Sequence, residues 1–510
     1  MSTDSVVGTA PFAPEDTSEA CAYQGDVELT WADWNDRANR LASAMDSMGV
    51  KPGDVVAIRV RTRIEWLVIS LAISKLNAIG VAVNYRLTAP ESAYILRDCN
   101  VRVAIIDDDD PAETVKGWAE LGLLGIISLD RVADGTLSYE ALIAEGDPTH
   151  RDALDLAPLI IYSSGTTGAP KGAPINGWQN PPDPKIHAEY NMSVAFDGAA
   201  AGPGNRTLIN LPMHHGAGPG FTRASLMSGG KVVFDRKFEP EATLALIERS
   251  GITHWIAVPT MLQRLVNLPA ETTAKYDLSS LRFLLGGAAP FDRELKDRAT
   301  ALLGRIIHEN YGCTEAGMLT GATPDDLEQR PGTSGRPFRH VEIKIIDEAG
   351  VELRAGATGE IAVRTPTVIT GYIGRGPLGP DKLLPDGFYR TGDIGHLDAD
   401  GYLFIYDRIT DVVISGGVNI YPAEIEAVLN THPAVAVSAV FGVKHEEAGE
   451  QAVAAVQLRP GATATADDLL AFCEGKLAKY KWPRRFEFVD VIPTSPMGKI
   501  LKRVLREEIR

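Results

Sequence analysis

Two hydrophobic patterns alternate along most of this chain. Short apolar runs predict buried strands, and between them segments with apolar residues three or four positions apart predict helices, as in residues 30–49 and 241–251. Strands that alternate with helices are typical of α/β domains with largely parallel sheets. The strand-like runs are 54–60, 103–107, 125–129, 231–235, 254–259 and 281–287.

The pattern changes after Arg336. Alternating strands follow one another through Gly- and Asp-rich turns, with no helical segment between them. We expect a small, β-barrel-like subdomain over residues 336–406. From residue 410 to residue 510 a mixture of helical and strand patterns predicts a compact α+β domain, and about a hundred residues are enough for a separate core. Residues 25–409 would then form one large domain.

Charge and cysteine usage exclude some classes of protein. The formal net charge is −17, which argues against a nucleic-acid-binding protein, because such proteins carry a basic face. The four cysteines lie far apart in the sequence and show no metal-ligand spacing. A disulfide framework is not expected in so large a chain. We interpret the cysteines as inert thiols in a reducing compartment.

Neither the N-terminus nor the longest apolar stretch predicts a targeting or membrane segment. The N-terminal residues have no basic region followed by an apolar one, so we expect no signal peptide and a disordered segment over residues 1–24. Charged and amide residues interrupt the apolar stretch 64–83, which predicts a buried helix running into a strand. We therefore expect no membrane span and a cytoplasmic location.

One short stretch, YSSGTTGAPKG at residues 162–172, combines small hydroxyl residues, glycines and a lysine. It follows an apolar run, residues 156–162, that predicts a buried strand. Backbone N–H groups, hydroxyls and an ammonium in such a loop suit phosphate oxygens. The stretch is not a Walker P-loop, because Lys171 is followed by Gly172 rather than by Ser or Thr. Taken alone, it is also compatible with a flexible Ser/Thr/Gly loop.

Further motifs follow in order, and together they identify a family resemblance. They are ENYGCTEAG (309–317), YRTGD (389–393), YDRITDVVISGGVNIYPAEIE (406–426) and PTSPMGKILKR (493–503). Over residues 25–508 the chain resembles the adenylate-forming superfamily of acyl-CoA synthetases, peptide-synthetase adenylation domains and luciferases. The resemblance implies a large N-terminal domain of two doubly wound α/β subdomains plus the β-rich subdomain. It also implies a small C-terminal domain that rotates about a hinge near Thr410.

The resemblance implies a two-step reaction. A carboxylic acid attacks the α-phosphate of Mg·ATP, which gives an acyl-adenylate and pyrophosphate. The thiol of CoA, or of a carrier protein, then displaces AMP. The first step requires two anions to be brought together, so positioning and charge neutralisation are what the protein must supply. The cofactors expected are ATP, Mg²⁺ and CoA.

The resemblance also assigns nucleotide contacts to individual residues. Tyr311 would stack on adenine, Thr314 would contact the α-phosphate, and Glu315 would hold Mg²⁺. Asp393 would accept hydrogen bonds from both ribose hydroxyls, and Arg408 would also reach the ribose.

The remaining nucleotide contacts lie in two glycine-rich stretches and beside Tyr311. The β- and γ-phosphates would be held by Ser163, Ser164, Gly165, Thr166, Thr167, Gly168 and Lys171. The segment GGAAP, residues 286–290, would lie along adenine and the acyl pocket. The residues assigned there are Gly287, Ala288 and Ala289, and from the motif of Tyr311 also Asn310 and Gly312.

Three further motifs would serve the acid and the thiol. Lys499 occupies the place of the family's mobile lysine, which neutralises charge between carboxylate and α-phosphate. His215, in LPMHHGAG (211–218), would flank the substrate carboxylate. Gly416 and Gly417 resemble the turn that lines the pantetheine tunnel.

The chain departs from the family pattern in two places, which keeps alternatives open. Thr410 stands where the family hinge is usually Asp or Lys, and a hinge needs backbone freedom more than one particular side chain. The segment 173–185 is rich in proline and is not expected to form a regular helix. An enzyme that delivers acyl-AMP to a carrier or partner is the main alternative, ahead of a luciferase-type oxygenase or an inactive nucleotide sensor.

The acid and the oligomeric state are less well defined. Glycine and alanine dominate the pocket segments HHGAGPG and GGAAP, which leaves room for a bulky apolar acid, aromatic or polycyclic. A medium-chain fatty acid is compatible with the same residues. A homodimer is expected at the level of the family only.

Overall fold

The structure is a computed structural model that describes most of the chain. The described residues are 14, 16–153, 158–163, 170–175, 177–179, 181–200, 202–287, 289, 291, 293–415, 418–445, 449–495 and 498–509, with only the backbone described at Ser163 and Asn419.

Up to residue 175, strands and helices alternate as the sequence predicts. The strands are β1 (Ala20–Gln24), β2 (Val27–Thr30), β3 (Val55–Arg59), β4 (Ile79–Ala82), β5 (Val101–Ile106), β6 (Gly125–Ser128), β7 (Leu137–Ser138), β8 (Leu159–Ser163) and β9 (Lys171–Ile175). The helices are α1 (Trp31–Ser47), α2 (Glu65–Lys75), α3 (Ala89–Asp98), α4 (Pro111–Trp118) and α5 (Tyr139–Glu145).

Strands β3 to β9 form the first sheet, in the order β7-β6-β5-β3-β4-β8-β9. All neighbours are parallel except β8 and β9. The apolar stretch 64–83 is a buried helix followed by a strand, as predicted, and none of the described helices is long and apolar enough to cross a membrane. The predicted disordered segment is wrong for residues 20–24, because they form β1 and pair with β2 and β11 of the second sheet.

From residue 184 to residue 337 the alternation continues. The strands are β10 (Arg206–Ile209), β11 (Lys231–Phe234), β12 (His254–Ala257), β13 (Phe283–Gly286), β14 (Ile307–Cys313), β15 (Gly317–Ala322) and β16 (Arg336–Pro337). The helices are α6 (Pro184–Val194), α7 (Ala217–Met227), α8 (Pro240–Ser250), α9 (Pro259–Val266), α10 (Ala270–Thr273), α11 (Arg293–Leu303) and α12 (Pro324–Gln329). The sequence predicts no regular helix over the segment 173–185. This segment contains the end of β9, and α6 starts only at Pro184.

These strands build the second sheet with β1 and β2, in the order β16-β15-β14-β13-β12-β10-β11-β1-β2. Helices α1 and α2 lie between the two sheets. Trp34 and Trp66 of these helices belong to the same buried cluster as Ile58 of the first sheet and Phe234 of the second. One apolar layer therefore joins the two α/β subdomains.

The β-rich region is an open sheet. Its strands are β17 (Glu342–Ile346), β18 (Gly359–Arg364), β19 (Tyr389–Leu397) and β20 (Leu403–Arg408), each antiparallel to its neighbour in sequence. The expectation of a barrel is wrong, because β20 does not return to β17. The start of β20 instead hydrogen-bonds residues beside the second sheet: Leu403 N–H donates to Gly335 O at 2.9 Å, and Ser334 N–H donates to Leu403 O at 2.8 Å.

The C-terminal region is an α+β unit, as expected. Its strands are β21 (Val413–Ser415), β22 (Val418–Ile420), β23 (Val435–His445), β24 (Gly449–Leu458) and β25 (Arg485–Phe488), and they form one sheet. Its helices are α13 (Pro422–Leu429), α14 (Ala466–Cys473) and α15 (Lys502–Glu508). It has its own buried cluster, which contains Ile425 and Leu469. The boundaries at residues 25 and 410 stay predictions.

Four parallel strands of the second sheet, β10, β12, β13 and β14, present their carboxyl ends at one edge. His215, Thr260, Gly287 and Glu315 follow these strands in turn. Ligands of open α/β sheets bind outside the carboxyl ends of the strands. The fold therefore gathers His215, Gly287 and Glu315, which belong to three of the predicted motifs, at one edge.

Gly335 is expected to be essential to the junction between the second sheet and the β-rich sheet. Its φ is +91°, and a Cβ there would collide with the Gly321 carbonyl oxygen. In Gly335→Ala, backbone strain of about 1–2 kcal/mol adds to overpacking of about 1–3 kcal/mol. Gly332→Ala is the matched control, because φ is +89° but the Cβ would meet open space. Thermal unfolding should show a clearly larger loss for Gly335→Ala, and equal losses would contradict this account.

Candidate active site

The predicted phosphate loop is framed by an antiparallel hairpin. Strand β8 leads into the loop and β9 leaves it, with Ser163 opposite Lys171 in the ladder. The predicted strand at 156–162 is present over Leu159–Ser163, and residues 154–157 lie outside the described chain. The structure describes only the two ends of the loop. The predicted residues outside the described chain are Ser164, Gly165, Thr166, Thr167 and Gly168.

Both ends of this loop are tied to α3. The Tyr162 hydroxyl donates to Asp98 Oδ2 at 2.6 Å. The Tyr94 hydroxyl donates to Pro170 O at 3.2 Å and accepts from Arg375 at 2.8 Å. Hydrogen bonds to a charged group are stronger than neutral ones. The residues at both ends of the loop are therefore anchored to α3.

The turn after β14 carries Thr314 and Glu315. Its backbone is held by the segment 365–373, where Ile369 N–H donates to Glu315 O at 2.8 Å. The Thr365 and Thr367 hydroxyls both donate to Ala316 O, at 3.0 and 3.1 Å. This places the side chains of Thr314 and Glu315 at the carboxyl edge of the second sheet.

A tyrosine that the sequence analysis did not single out contacts two of the predicted residues. The Tyr372 hydroxyl donates to Glu315 Oε1 at 3.0 Å, and Lys171 Nζ lies 5.3 Å from the centroid of the Tyr372 ring. One signal was available in the sequence. Tyr372 lies in a long connection between β18 and β19, and long irregular connections inside compact domains are often functional.

Tyr311, Asp393 and Arg408, each assigned to the nucleotide, lie in contact with one another. The Tyr311 hydroxyl donates to Asp393 Oδ2 at 2.6 Å, and Arg408 Nε lies 3.1 Å from Asp393 Oδ1. Asp393 and Arg408 face each other across the β19–β20 ladder, and Asp393 is buried. Burial and the Asp393 carboxylate raise the pKa of Tyr311 well above its usual value, so the phenol remains a donor.

The GGAAP segment closes against the same strand. Gly287 follows β13, and a Cβ there would collide with the side-chain oxygen of Asn310. A Cβ at Gly312 would likewise collide with the Gly317 carbonyl oxygen. These glycines are needed for close packing of backbone beside Tyr311. Ala289 is described next to them, whereas Ala288 lies outside the described chain.

Lys499 approaches Asp393 and Arg408 from the C-terminal unit. It follows Gly498, whose φ is +72° and whose Cβ would collide with the Thr260 hydroxyl at the start of α9. The turn is closed by Ser495 N–H donating to Lys499 O at 2.7 Å. Although Lys499 is exposed, partial desolvation of its ammonium and the charge of Arg408 lower its pKa. Asp393 opposes that shift, so all three residues share one charged environment.

His214 and His215 follow β10. Their Nδ1 atoms are buried and have no hydrogen-bond partner in the described part of the chain. His214 lies edge-on to Tyr85, with ring centroids 5.9 Å apart.

The predicted hinge lies beside an acidic residue that contacts the last helix. Thr410 is in the turn from β20 to β21. The Arg506 guanidinium of α15 lies 2.9 Å from Asp411 Oδ1 and donates to Thr410 O at 3.4 Å. The predicted turn of Gly416 and Gly417 lies outside the described chain.

Together, the described residues form one candidate site with cations from three parts of the chain. Lys171 comes from the first sheet, Arg408 from the β-rich sheet, and Lys499 from the C-terminal unit. Carboxylates at Asp393 and Glu315 lie among them. Such a mixture suits a ligand with both phosphate and hydroxyl groups and an associated cation.

Comparison with known proteins agrees with this arrangement. The family model of the AMP-binding enzymes matches residues 12–373, and that of the AMP-binding enzyme C-terminal domain matches residues 424–499. The indoleacetate–CoA ligase of Aromatoleum aromaticum is 34% identical over 487 residues, which cover 94% of this chain and 93% of that protein.

Two further comparisons extend the similarity. The fatty acid–acyl-carrier-protein ligase ScoC of Streptomyces coeruleorubidus is 33% identical over 507 residues, which cover 97% of this chain and 94% of that protein. The crystal structure of ATP-bound MatB from Rhodopseudomonas palustris superposes with a TM-score of 0.84 at 31% identity, over 97% of each chain. The chain therefore belongs to the AMP-binding enzymes, in the acyl-CoA synthetase branch of the adenylate-forming superfamily.

Proposed function

We propose that this chain joins an apolar carboxylic acid to CoA in two steps that consume ATP. In the first, a carboxylate oxygen attacks the α-phosphorus, the bond to the bridging oxygen breaks, and pyrophosphate leaves. In the second, the thiol sulfur of CoA, having lost its proton, attacks the acyl carbon and AMP leaves. AMP is a better leaving group than the oxide that the free acid would have to lose.

The observation that carries the proposal is the position of Lys499. Its turn is docked on Thr260, and its ammonium shares an environment with Asp393 and Arg408. A cation at this point can neutralise the charge that accumulates when a carboxylate approaches the α-phosphate. A preorganised group of this kind stabilises the transition state more than the ground state.

The nucleoside half of the site is built around Asp393. One carboxylate oxygen accepts a hydrogen bond from Tyr311, and the other forms an ion pair with Arg408. A carboxylate has about four lone-pair positions, so the two ribose hydroxyls can bind the same group. The ring of Tyr311 then stacks on adenine, and the bond from its hydroxyl to Asp393 fixes the ring against β19.

The polyphosphate half takes its ligands from Lys171, Thr314 and Glu315. Among the described residues no set of three His, Cys, Asp or Glu is arranged to hold a metal ion. Mg²⁺ is usually held by one or two carboxylates together with substrate phosphates. We therefore assign Mg²⁺ to Glu315 as part of the Mg·ATP substrate, with Thr314 beside the α-phosphate and the loop 163–168 on the others.

The acid half has a neutral, apolar character. Burial, the neighbouring His215 and Arg86 lower the pKa of His214 to about 3. Burial also lowers the pKa of His215. Both rings can offer a neutral hydrogen bond to the substrate carboxylate. Ala217 and Phe221 on α7 pack on the adjacent apolar cluster, which supports an aromatic or polycyclic acid, and indoleacetate–CoA ligase is named for an aromatic acid.

The thiol half depends on rotation about Thr410, with Gly416 and Gly417 along the pantetheine. A carrier-protein thiol is the alternative acceptor, because ScoC is named for one. A homodimer and a cytoplasmic location stay predictions from the sequence.

The experiment that tests the function combines purified protein, Mg·ATP, CoA and a panel of aromatic, polycyclic and fatty acids. Mass spectrometry of the products should show acyl-CoA for one class of acid. Accumulation of acyl-AMP in the presence of CoA would instead favour a carrier protein as the acceptor. No pyrophosphate release with any acid would overturn the proposal.

Lys499→Ala is expected to slow adenylation by about 10²–10³-fold, the range for loss of one preorganised charge-stabilising group. Acid-dependent ATP–pyrophosphate exchange measures this step alone. Lys479→Ala is the matched control, because Lys479 is an exposed lysine of the same C-terminal unit. Normal exchange in Lys499→Ala would remove Lys499 from the mechanism.

Asp393→Asn is expected to raise the KM for ATP about 10–100-fold, as a hydrogen bond to a charged group contributes about 1.5–3 kcal/mol. The substitution keeps the shape but removes the charge opposite Arg408. Asp400→Asn is the control, since Asp400 also contacts an arginine, Arg330, but on an exposed turn. A KM for ATP that changes equally in both variants would contradict the assignment.

His214 is expected to make the fold less stable as the pH falls. Its lowered pKa keeps it neutral in the native state, while the unfolded chain binds a proton below its ordinary value of 6.5. Stability is therefore lost between about pH 6.5 and pH 3, by up to about 1.4 kcal/mol per pH unit. The melting temperature of His214→Gln should fall less steeply than that of the wild type from pH 7 to pH 5. Parallel curves would show that His214 is protonated in the folded protein.

A further inference from the structure

The segment 365–373 contacts both halves of the polyphosphate site. Ile369 N–H donates to the carbonyl of Glu315, and Ile373 N–H donates to Gly172 O at 2.9 Å. Gly172 directly follows Lys171 at the exit of the phosphate loop. One short piece of backbone therefore relates Lys171 on the first sheet to Glu315 on the second.

Tyr372 repeats this connection with its side chain. Its hydroxyl donates to Glu315 Oε1 at 3.0 Å, which occupies one carboxylate oxygen and directs the group. The Lys171 ammonium lies 5.3 Å from the ring centroid, within the range of a cation–π interaction. A single rigid side chain thus contacts both groups that carry the polyphosphate and its cation.

We propose that Tyr372 is a positioning residue that holds Lys171 and Glu315 at the spacing required to bind a polyphosphate and its divalent cation together. The proposal rests on the function proposed above, because it takes Glu315 as the group that binds Mg²⁺. Residues that hydrogen-bond a metal-binding carboxylate typically change metal affinity by about 10–100-fold when they are replaced. Tyr372 contributes through Glu315 and Lys171, and it performs no chemical step.

Two substitutions separate the hydroxyl from the ring. Tyr372→Phe removes the bond to Glu315 and keeps the ring beneath Lys171. Tyr372→Leu removes both contacts. Tyr402→Phe is the matched control, because the Tyr402 hydroxyl also donates to a carboxylate, Asp326, which lies outside the candidate site.

Calorimetric titration with ATP, in the presence of Mg²⁺ and in the presence of EDTA, gives a readout independent of turnover. In the wild type Mg²⁺ should tighten ATP binding. In Tyr372→Phe that gain should shrink about tenfold, while the affinity for metal-free ATP stays unchanged. In Tyr372→Leu the affinity for metal-free ATP should also weaken, by about two- to fivefold.

Pyrophosphate exchange should agree. Tyr372→Phe should require about tenfold more Mg²⁺ for half-maximal exchange and recover near-normal rates at saturation, whereas Tyr402→Phe should match the wild type. Equal Mg²⁺ dependence in Tyr372→Phe and the wild type would overturn the inference. So would a fall in melting temperature and rate with unchanged Mg²⁺ dependence, which a purely structural role would produce. Absence of ATP binding and exchange in the wild type would instead overturn the proposed function.

Discussion

Two hydrogen bonds from tyrosine hydroxyls to carboxylates hold the parts of this site together. Tyr311 on the second sheet donates to Asp393 on the β-rich sheet, and Tyr372 in the irregular connection donates to Glu315. Burial raises the pKa of both tyrosines, so each remains a donor at neutral pH. A donor of this kind lets a carboxylate remain charged away from bulk water, which burial alone would disfavour.

The net negative charge of the protein opposes the binding of its own substrates. The net charge is −17, whereas ATP and a carboxylate are both anions. The candidate site offsets this repulsion locally with three cations from different parts of the fold, Lys171, Arg408 and Lys499. Desolvation, and after it the like charge of Arg408, lower the pKa of Lys499. Crowded cations of this kind favour an incoming phosphate strongly, since its binding relieves their repulsion.

Much of the fold and part of the site followed from the sequence. The apolar runs at 54–60 and 103–107 became β3 and β5, because a run buried on both faces reads as a continuous stretch in parallel sheets. The ordered motifs assign Tyr311, Asp393 and Arg408 to one nucleotide, and the structure brings the three side chains into contact. The phosphate loop itself lies outside the described residues and stays a prediction.

The errors have physical causes that local patterns do not contain. Residues 20–24 directly follow the polar N-terminal stretch, and nothing local shows that Ala22 pairs with the distant Val232 across the sheet. Alternation along β17 to β20 is the same in an open sheet as in a barrel. What keeps this sheet open is a partner for its edge strand at Gly335. Tyr372 was missed because its contact with Glu315 spans 57 residues, and nothing in its neighbourhood marks a lone tyrosine as more than a packed ring.

The Tyr311–Asp393 bond has a consequence for how proteins of this shape diversify. Donor and acceptor lie on different sheets and are 82 residues apart in the chain. A genetic crossover between them would join one parent's tyrosine to the other parent's carboxylate. The hybrid would keep its nucleotide site only where both parents carry the same pair in the same geometry.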